Sequence, residues 1–219
     1  MITKEREDYL KAIYHLQKDE SPVRTTTIAR EMGVKPASVT GAIQRMAEHG
    51  FLDYQERKGV TLTEEGRRIA LEVMRHHRLI ELYLIEALGY SWDEVHDEAE
   101  RLEHAVSPLF IERIAAALGH PTIDPHGAPI PTADGEIPPL SRDKLSEAKP
   151  GTVGTIARVN DQDPELLRYL ADMDIRPGMQ VTVLEVKPFG GPVHIQVNDA
   201  THAVGLQAAE NIYLKASDD

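Results

Sequence analysis

A chain of 219 residues with no cysteine has room for one large or two to three small domains, but it cannot build a disulfide framework or a thiolate zinc site. No apolar run approaches the length of a membrane span, and the chain opens on a charged helix rather than a signal peptide, so a soluble cytoplasmic protein is expected. The net charge of -12 is unevenly spread: residues 1–62 carry 10 Lys/Arg against 9 Asp/Glu, and residues 63–219 carry 14 against 27, which leaves the first segment free to approach phosphate.

Residues 3 to about 19 read as a helix whose apolar face is Tyr9, Leu10, Ile13, Tyr14 and Leu16, ended by Ser21-Pro22. A short helix over Thr25–Met32 follows, stopped at Gly33, and then a second from Pro36 to Met46. Ile28, Ala29, Met32, Val34, Val39, Ile43 and Met46 are the positions that pack the pair together, which is the helix-turn-helix pattern. The other face shows Lys35, Pro36, Ala37, Ser38, Thr40, Gln44 and Arg45, with Arg24 and Thr26 on the first helix. Short side chains let a helix sink into the major groove, hydroxyls and amides offer hydrogen bonds, and basic groups meet phosphate. Gly50–Thr63 reads as a hairpin with Arg57 and Lys58 at its tip, making the unit a winged helix.

Thr63 is expected to cap a long helix running to about Leu88, with apolar residues on more than one face. After Gly89, Ser91 is expected to cap the next helix, and Ser107-Pro108 to open a further one to Leu118. These helices are the expected interface of a homodimer, since symmetric DNA sites call for one. The run from His120 to Pro139 holds six prolines and reads as a linker. Beyond it the periodicity turns to short strands at Val153–Val159, Gln180–Val186, Val193–Val197, His202–Leu206 and Ile212–Leu214, with one helix at Pro164–Met173. A small SH3-like β-barrel is expected. The fold class is therefore mainly α with small β. Its domains are a winged helix-turn-helix at 1–63, a helical dimerisation domain at 64–120, a Pro-rich linker at 121–149 and a barrel at 150–219.

The segment from His96 to His104 carries the chemistry. On a helix, His96, Glu100, Glu103 and His104 share one face, and two imidazoles with two carboxylates there can hold a divalent metal. Val95, Ala99, Leu102 and Val106 form an apolar stripe beside them, so the charged face borders a buried one. A second pair, His77 and Glu81, sits at i, i+4 on the preceding helix. Without cysteine the available donors are nitrogen and oxygen, which suit manganese, iron or zinc.

The winged helix, Met74–Glu81, Val95–His104, Gly127–Pro131 and a barrel bearing Asp174–Gly178 together resemble the diphtheria toxin repressor family over nearly the whole chain in order. That resemblance implies a homodimeric, metal-activated repressor of metal uptake that binds double-stranded DNA. It implies a primary site of Asp8, Glu100, Glu103 and His104. Iron-type members carry Met and Cys at the first two of these positions, so carboxylates at both point to the manganese type. Mn²⁺ is the harder ion and the weakest binder of the divalent series, and oxygen donors select it by ligand type and geometry. Some manganese-type members place Glu where this chain has Lys11, and a lysine there would repel a second cation at that site. The resemblance places the second of two ions per subunit elsewhere, on Glu81, Asp124, His126 and Asp163, or on His77, Glu81 and His96 with Asp163. Leu166 stands where some relatives have a Gln ligand.

An Fe²⁺-responsive repressor of the same family is the alternative, as is a winged-helix regulator that answers an organic ligand. An enzyme is not expected. Leu102-Glu103-His104 is part of an inverted zinc-protease motif, but that motif needs His where Glu100 stands. The barrel, which resembles ferrous-transport modules, has only Tyr169, Phe189 and Tyr213 with which to build a proline-binding groove.

Overall fold

The computed structural model describes residues 3–216. Two compact units are present. The first holds the chain through His77 together with Glu103–Val106 and Pro131–Glu136; the second holds Arg78–Leu102, Ser107–Ile130 and the chain from Ile137 onward. Among the described residues no helix is long and apolar enough to cross a membrane.

In the first unit, helix α1 (Lys4–Leu16) buries Tyr9, Leu10 and Ile13, and stops well short of Ser21-Pro22. Helix α2 (Thr25–Glu31) contributes Ile28 and Ala29; α3 (Pro36–Glu48) contributes Val39, Ala42, Ile43 and Met46, at the 3.6-residue spacing that keeps one stripe inward. Pro36 opens α3 at a position where its missing N–H costs nothing. Strands β1 (Leu52–Gln55) and β2 (Gly59–Leu62) form the antiparallel wing, pairing Leu52 with Leu62, and Val23 bridges Val60 to close the core over it.

Helix α4 (Glu64–Leu88) begins in the first unit and ends in the second. Thr63 caps it as expected, its Oγ1 accepting from the Gly66 amide at 3.1 Å. Helix α5 covers only Val95–Leu102, because Ser91 bonds Glu94 in a turn ahead of it rather than capping it. The helix also ends before Glu103, and Glu103 and His104 lie in a turn. The expected single face from His96 to His104 is thus broken. Pro108 explains why a helix cannot run on: it forces Ser107 extended and starts α6 (Pro108–Ala117), with Ser107 as cap. Ile111, Ile114 and Ala115 of α6 are buried, while Leu109 and Phe110 are exposed.

The rest of the second unit is a six-stranded antiparallel sheet in the order β3-β8-β4-β5-β6-β7. Its strands are β3 (Asp143–Lys144), β4 (Val153–Val159), β5 (Gln180–Val186), β6 (Val193–Val197), β7 (Ala200–Val204) and β8 (Ile212–Ala216). Helix α7 (Pro164–Asp172) and a one-turn α8 (Leu206–Ala209) pack on it. The one-turn helix takes Leu206, which the sequence pattern had assigned to a strand. A bulge interrupts the β4–β8 register between Ile156 and Arg158. Trp92, Leu145, Leu167, Leu170 and Ile175 complete the core with the inward residues of the strands.

Gly66 marks the tightest approach in the first unit, since a Cβ there would lie 2.1 Å from the Phe51 carbonyl oxygen. Gly66→Ala should lower the urea midpoint by an amount equivalent to about 1–3 kcal/mol through overpacking. Gly41→Ala, whose methyl would meet only the Arg45 guanidinium at 3.4 Å, should raise it slightly.

Candidate metal centres and nucleic-acid face

The first centre lies wholly within the first unit and grows from the outer face of α1. Burying Tyr9, Leu10 and Ile13 turns Glu7, Asp8 and Lys11 toward the turn that carries Glu103 and His104. His104 Nδ1 meets Glu7 Oε2 at 2.5 Å, which fixes the ring and aims Nε2 at Asp8 Oδ1, 2.8 Å away, and at Glu103 Oε1, 3.1 Å away. Ligand atoms of Asp8, Glu103 and His104 lie within 4.8 Å of one another. Asp8 Oδ1 and His104 Nε2 are buried and, despite their closeness, neither completes a well-formed hydrogen bond. Two buried electron-pair donors converging on one point without satisfying each other are what a cation site requires.

Glu103 is buried to 1% exposure. His77 Nδ1 donates to its Oε2 at 2.5 Å, and Lys11 Nζ to its Oε1 at 2.6 Å. Burial pushes this carboxyl up, but the His104 imidazole facing it, the hydrogen bond from His77 and the charges of His77 and Lys11 hold it well below the usual carboxylate range. Burial alone would lower the His104 pKa; the facing Asp8, Glu103 and Glu7 carboxylates overcome it and push it up to about 10. Glu7 was missed by the sequence reading, because a carboxylate that orients a ligand leaves no motif of its own. Glu100 lies three residues before Glu103 in the chain, on α5, and belongs to the second unit.

The second centre lies wholly within the second unit, around the fully buried Glu81 on α4. His96 Nδ1 lies 3.2 Å from Glu81 Oε1, and His126 Nδ1 lies 3.7 Å from Oε2. Ligand atoms of Glu81, His96 and Asp161 come within 4.8 Å of one another. His126 Nε2 donates to the Trp92 carbonyl at 3.1 Å and its ring stacks on the indole, so Nδ1 is the nitrogen turned inward. It is buried with no hydrogen-bond partner, and so is Asp124 Oδ2, which faces Arg78 Nε at 3.3 Å. Asp124 Oδ1 holds the loop by accepting from the amides of His126 and Ala128, both at 2.9 Å. Burial and the neighbouring Glu81 raise the Asp124 pKa to about 6; for His126, Glu81 outweighs the lowering effect of burial and raises it to about 9.

Of the expected ligands, His77 gives its Nδ1 to Glu103. Asp163 is exposed and caps α7, accepting from the amides of Glu165 at 2.9 Å and Leu166 at 3.3 Å. Asp161, two residues past β4, is the carboxylate that lies with Glu81 and His96. The signal was legible: Asp163 precedes Pro164, the cap-then-proline start of a helix, which commits its side chain to the backbone.

Lys35, Pro36, Ala37, Ser38, Gln44 and Arg45 are exposed along α3, and Thr40 is half-buried with its hydroxyl on the Pro36 carbonyl. Thr26 is exposed on α2; Arg24 is exposed ahead of it and pairs with Glu20. Arg57 and Lys58 occupy the wing turn. A winged helix with a basic, small-residue face, joined to helices bearing buried imidazole–carboxylate clusters, defines a metal-dependent DNA-binding regulator.

The comparisons agree segment by segment. Residues 1–60 match the iron dependent repressor N-terminal DNA binding domain, 63–132 its metal binding and dimerisation domain, and 144–216 the FeoA domain. The iron-dependent repressor IdeR of Mycobacterium tuberculosis is 33% identical, the alignment covering 92% of this chain and 96% of the relative. The diphtheria toxin repressor of Corynebacterium jeikeium is 27% identical over 97% of this chain and 85% of its own. A solved structure of a manganese-dependent transcriptional repressor in complex with manganese superposes with a TM-score of 0.88 at 42% identity, covering 97% of this chain and 100% of that one. The chain belongs to the diphtheria toxin repressor family of metal-dependent transcriptional repressors.

A group whose folded pKa is raised stabilises the fold below its ordinary value and loses that contribution as pH rises through the folded one. With metal removed by chelator, His104 should therefore make thermal stability fall between pH 6.5 and about 10. His104→Gln should flatten that part of the profile; a profile identical to wild type would show that the Glu7–His104–Asp8 cluster is not formed in solution.

Proposed function

We propose that this chain is a manganese-activated repressor of metal-uptake genes, working as a homodimer on palindromic double-stranded DNA. The observation that carries the reading is the donor set: Asp8 and Glu103 offer oxygen, His104 offers one imidazole nitrogen, and the chain has no thiolate; Glu100 is a further carboxylate that the family resemblance assigns. Hard oxygen donors suit Mn²⁺, whereas softer ligands would favour its competitors in the divalent series. The 42%-identical structure is described as a manganese-dependent repressor with manganese bound, which supports the same metal. For the second ion we propose Glu81 and Asp161 as the carboxylates, flanked by His96 and His126, with Asp124 beside them. Exposed Leu109 and Phe110 on α6 support a self-association surface in the segment matching the dimerisation domain.

A cation bound at the first centre would supply the positive charge that lets these carboxylates stand together. The residues do the rest. Asp8 ties the outer face of α1 to Glu103 and His104, while the inner face of α1 shares one core with Ile28 of α2 and Val39 and Ile43 of α3. Anchoring α1 therefore anchors the recognition helix. In a dimer, two such helices would address half-sites about 34 Å apart. The gain in DNA affinity is limited by how much better the ion binds the anchored arrangement than the loose one.

Gel-shift titration against an operator selected from a random duplex library tests this. Mn²⁺ should tighten binding at least tenfold over chelator, and equal affinity in both would end the metal-switch reading. The double variant Asp8→Met, Glu100→Cys should move the preference from Mn²⁺ towards Fe²⁺ in anaerobic titrations. An unchanged metal response would count against these ligands.

A further inference from the structure

We propose that Lys11 is an internal cation that competes with the metal for Glu103, and so sets the metal concentration at which the first centre fills. This rests on the primary centre proposed above, and it is carried by which oxygen does what. Glu103 Oε2 is engaged by His77 at 2.5 Å, which leaves Oε1 to face the centre. Oε1 is also the oxygen 3.1 Å from His104 Nε2, and Lys11 Nζ sits 2.6 Å from that same atom. An ion sharing His104 and Glu103 must therefore meet a carboxylate oxygen that already carries an ammonium.

The side chains of Lys11 and Glu103 are 16% and 0% exposed, so little water screens the two cations from each other. One of them has to withdraw. A lysine suits that part: its charge is a compact point on a flexible four-carbon stem, whereas an arginine fork would hold the carboxylate more rigidly. The lysine-held state binds no metal at that oxygen, so its population lowers the apparent metal affinity as any unproductive state does. The buried carboxylate meanwhile keeps its charge compensated when the cell is poor in metal.

Calorimetric titration of Mn²⁺ into the metal-stripped full-length protein reads this directly, using the binding transition that His104→Ala removes. Lys11→Met keeps the bulk of the stem and drops the charge, and it should bind at that transition at least tenfold more tightly than wild type. Lys11→Arg should bind no more tightly than wild type. Circular dichroism checks folding; if the Met variant does not fold, Lys11→Gln, which retains a hydrogen-bond donor, carries the same expectation. Affinity in the folded Met or Gln variant equal to or weaker than wild type overturns the competition and leaves the centre standing. A wild-type titration in which His104→Ala removes no transition overturns the centre and the competition together.

Discussion

A carboxylate without access to water has to be compensated, and Glu103 is such a group. Transferring an isolated charge into a low-dielectric interior costs several kcal/mol or more, so the chain must surround it with cationic or hydrogen-bonding partners. It does so with Lys11 from α1, His77 from α4 and His104 from the adjacent position. Each partner comes from a different stretch of sequence, and each is thereby fixed relative to the others. The surroundings of one buried acid thus decide where the first helix, the long helix and the 103–106 turn meet within the first unit. That arrangement also seats Asp8 opposite His104 and leaves both with buried atoms directed at one point. The site and the packing are consequences of the same electrostatic demand.

The second unit repeats the principle around Glu81 with a different solution. There the compensation comes from two imidazoles, one to each oxygen, and Arg78 stands over the neighbouring Asp124. The loop that delivers His126 is built from its own side chain–backbone bonds: Asp124 Oδ1 collects two amides, and Arg78 reaches the Pro129 carbonyl. Trp92 completes it by accepting from His126 through its carbonyl and donating to Pro125 through its indole at 3.1 Å. A proline-rich stretch without regular structure is held in one conformation by a handful of buried polar contacts.

Much of this was readable in advance, and the exceptions have local causes. The periodicities of α2, α3, α4 and five of the sheet strands placed those elements to within a residue or two, because each carries a strong apolar stripe between clear stop signals. The short β3 and one-turn α8 left no periodic trace, being shorter than any pattern. The continuous metal-binding face failed at Leu102, where hydrophobic spacing continues through Val106 but the backbone does not; Pro108 was the visible reason and was read only as a start. Asp163 fell to a local competitor, the start of α7 that Pro164 announces. The partner of His77 Nδ1 is a tertiary neighbour, Glu103, which spacing along the chain does not encode.

The bulge in β4 gives the 118–130 loop a template. Gly127, at φ +87, lies where a Cβ would be 2.1 Å from the Ala157 carbonyl oxygen, and the Val159 amide donates to the His126 carbonyl at 2.9 Å. The sheet is therefore the mould against which half of the second centre is cast. A chain shortened ahead of β3 would keep Glu81, His96, Asp124 and His126 in its sequence. It would forfeit Asp161 together with the backbone that shapes their loop, so this C-terminal module is part of the scaffold of the second cluster rather than an appendage to it.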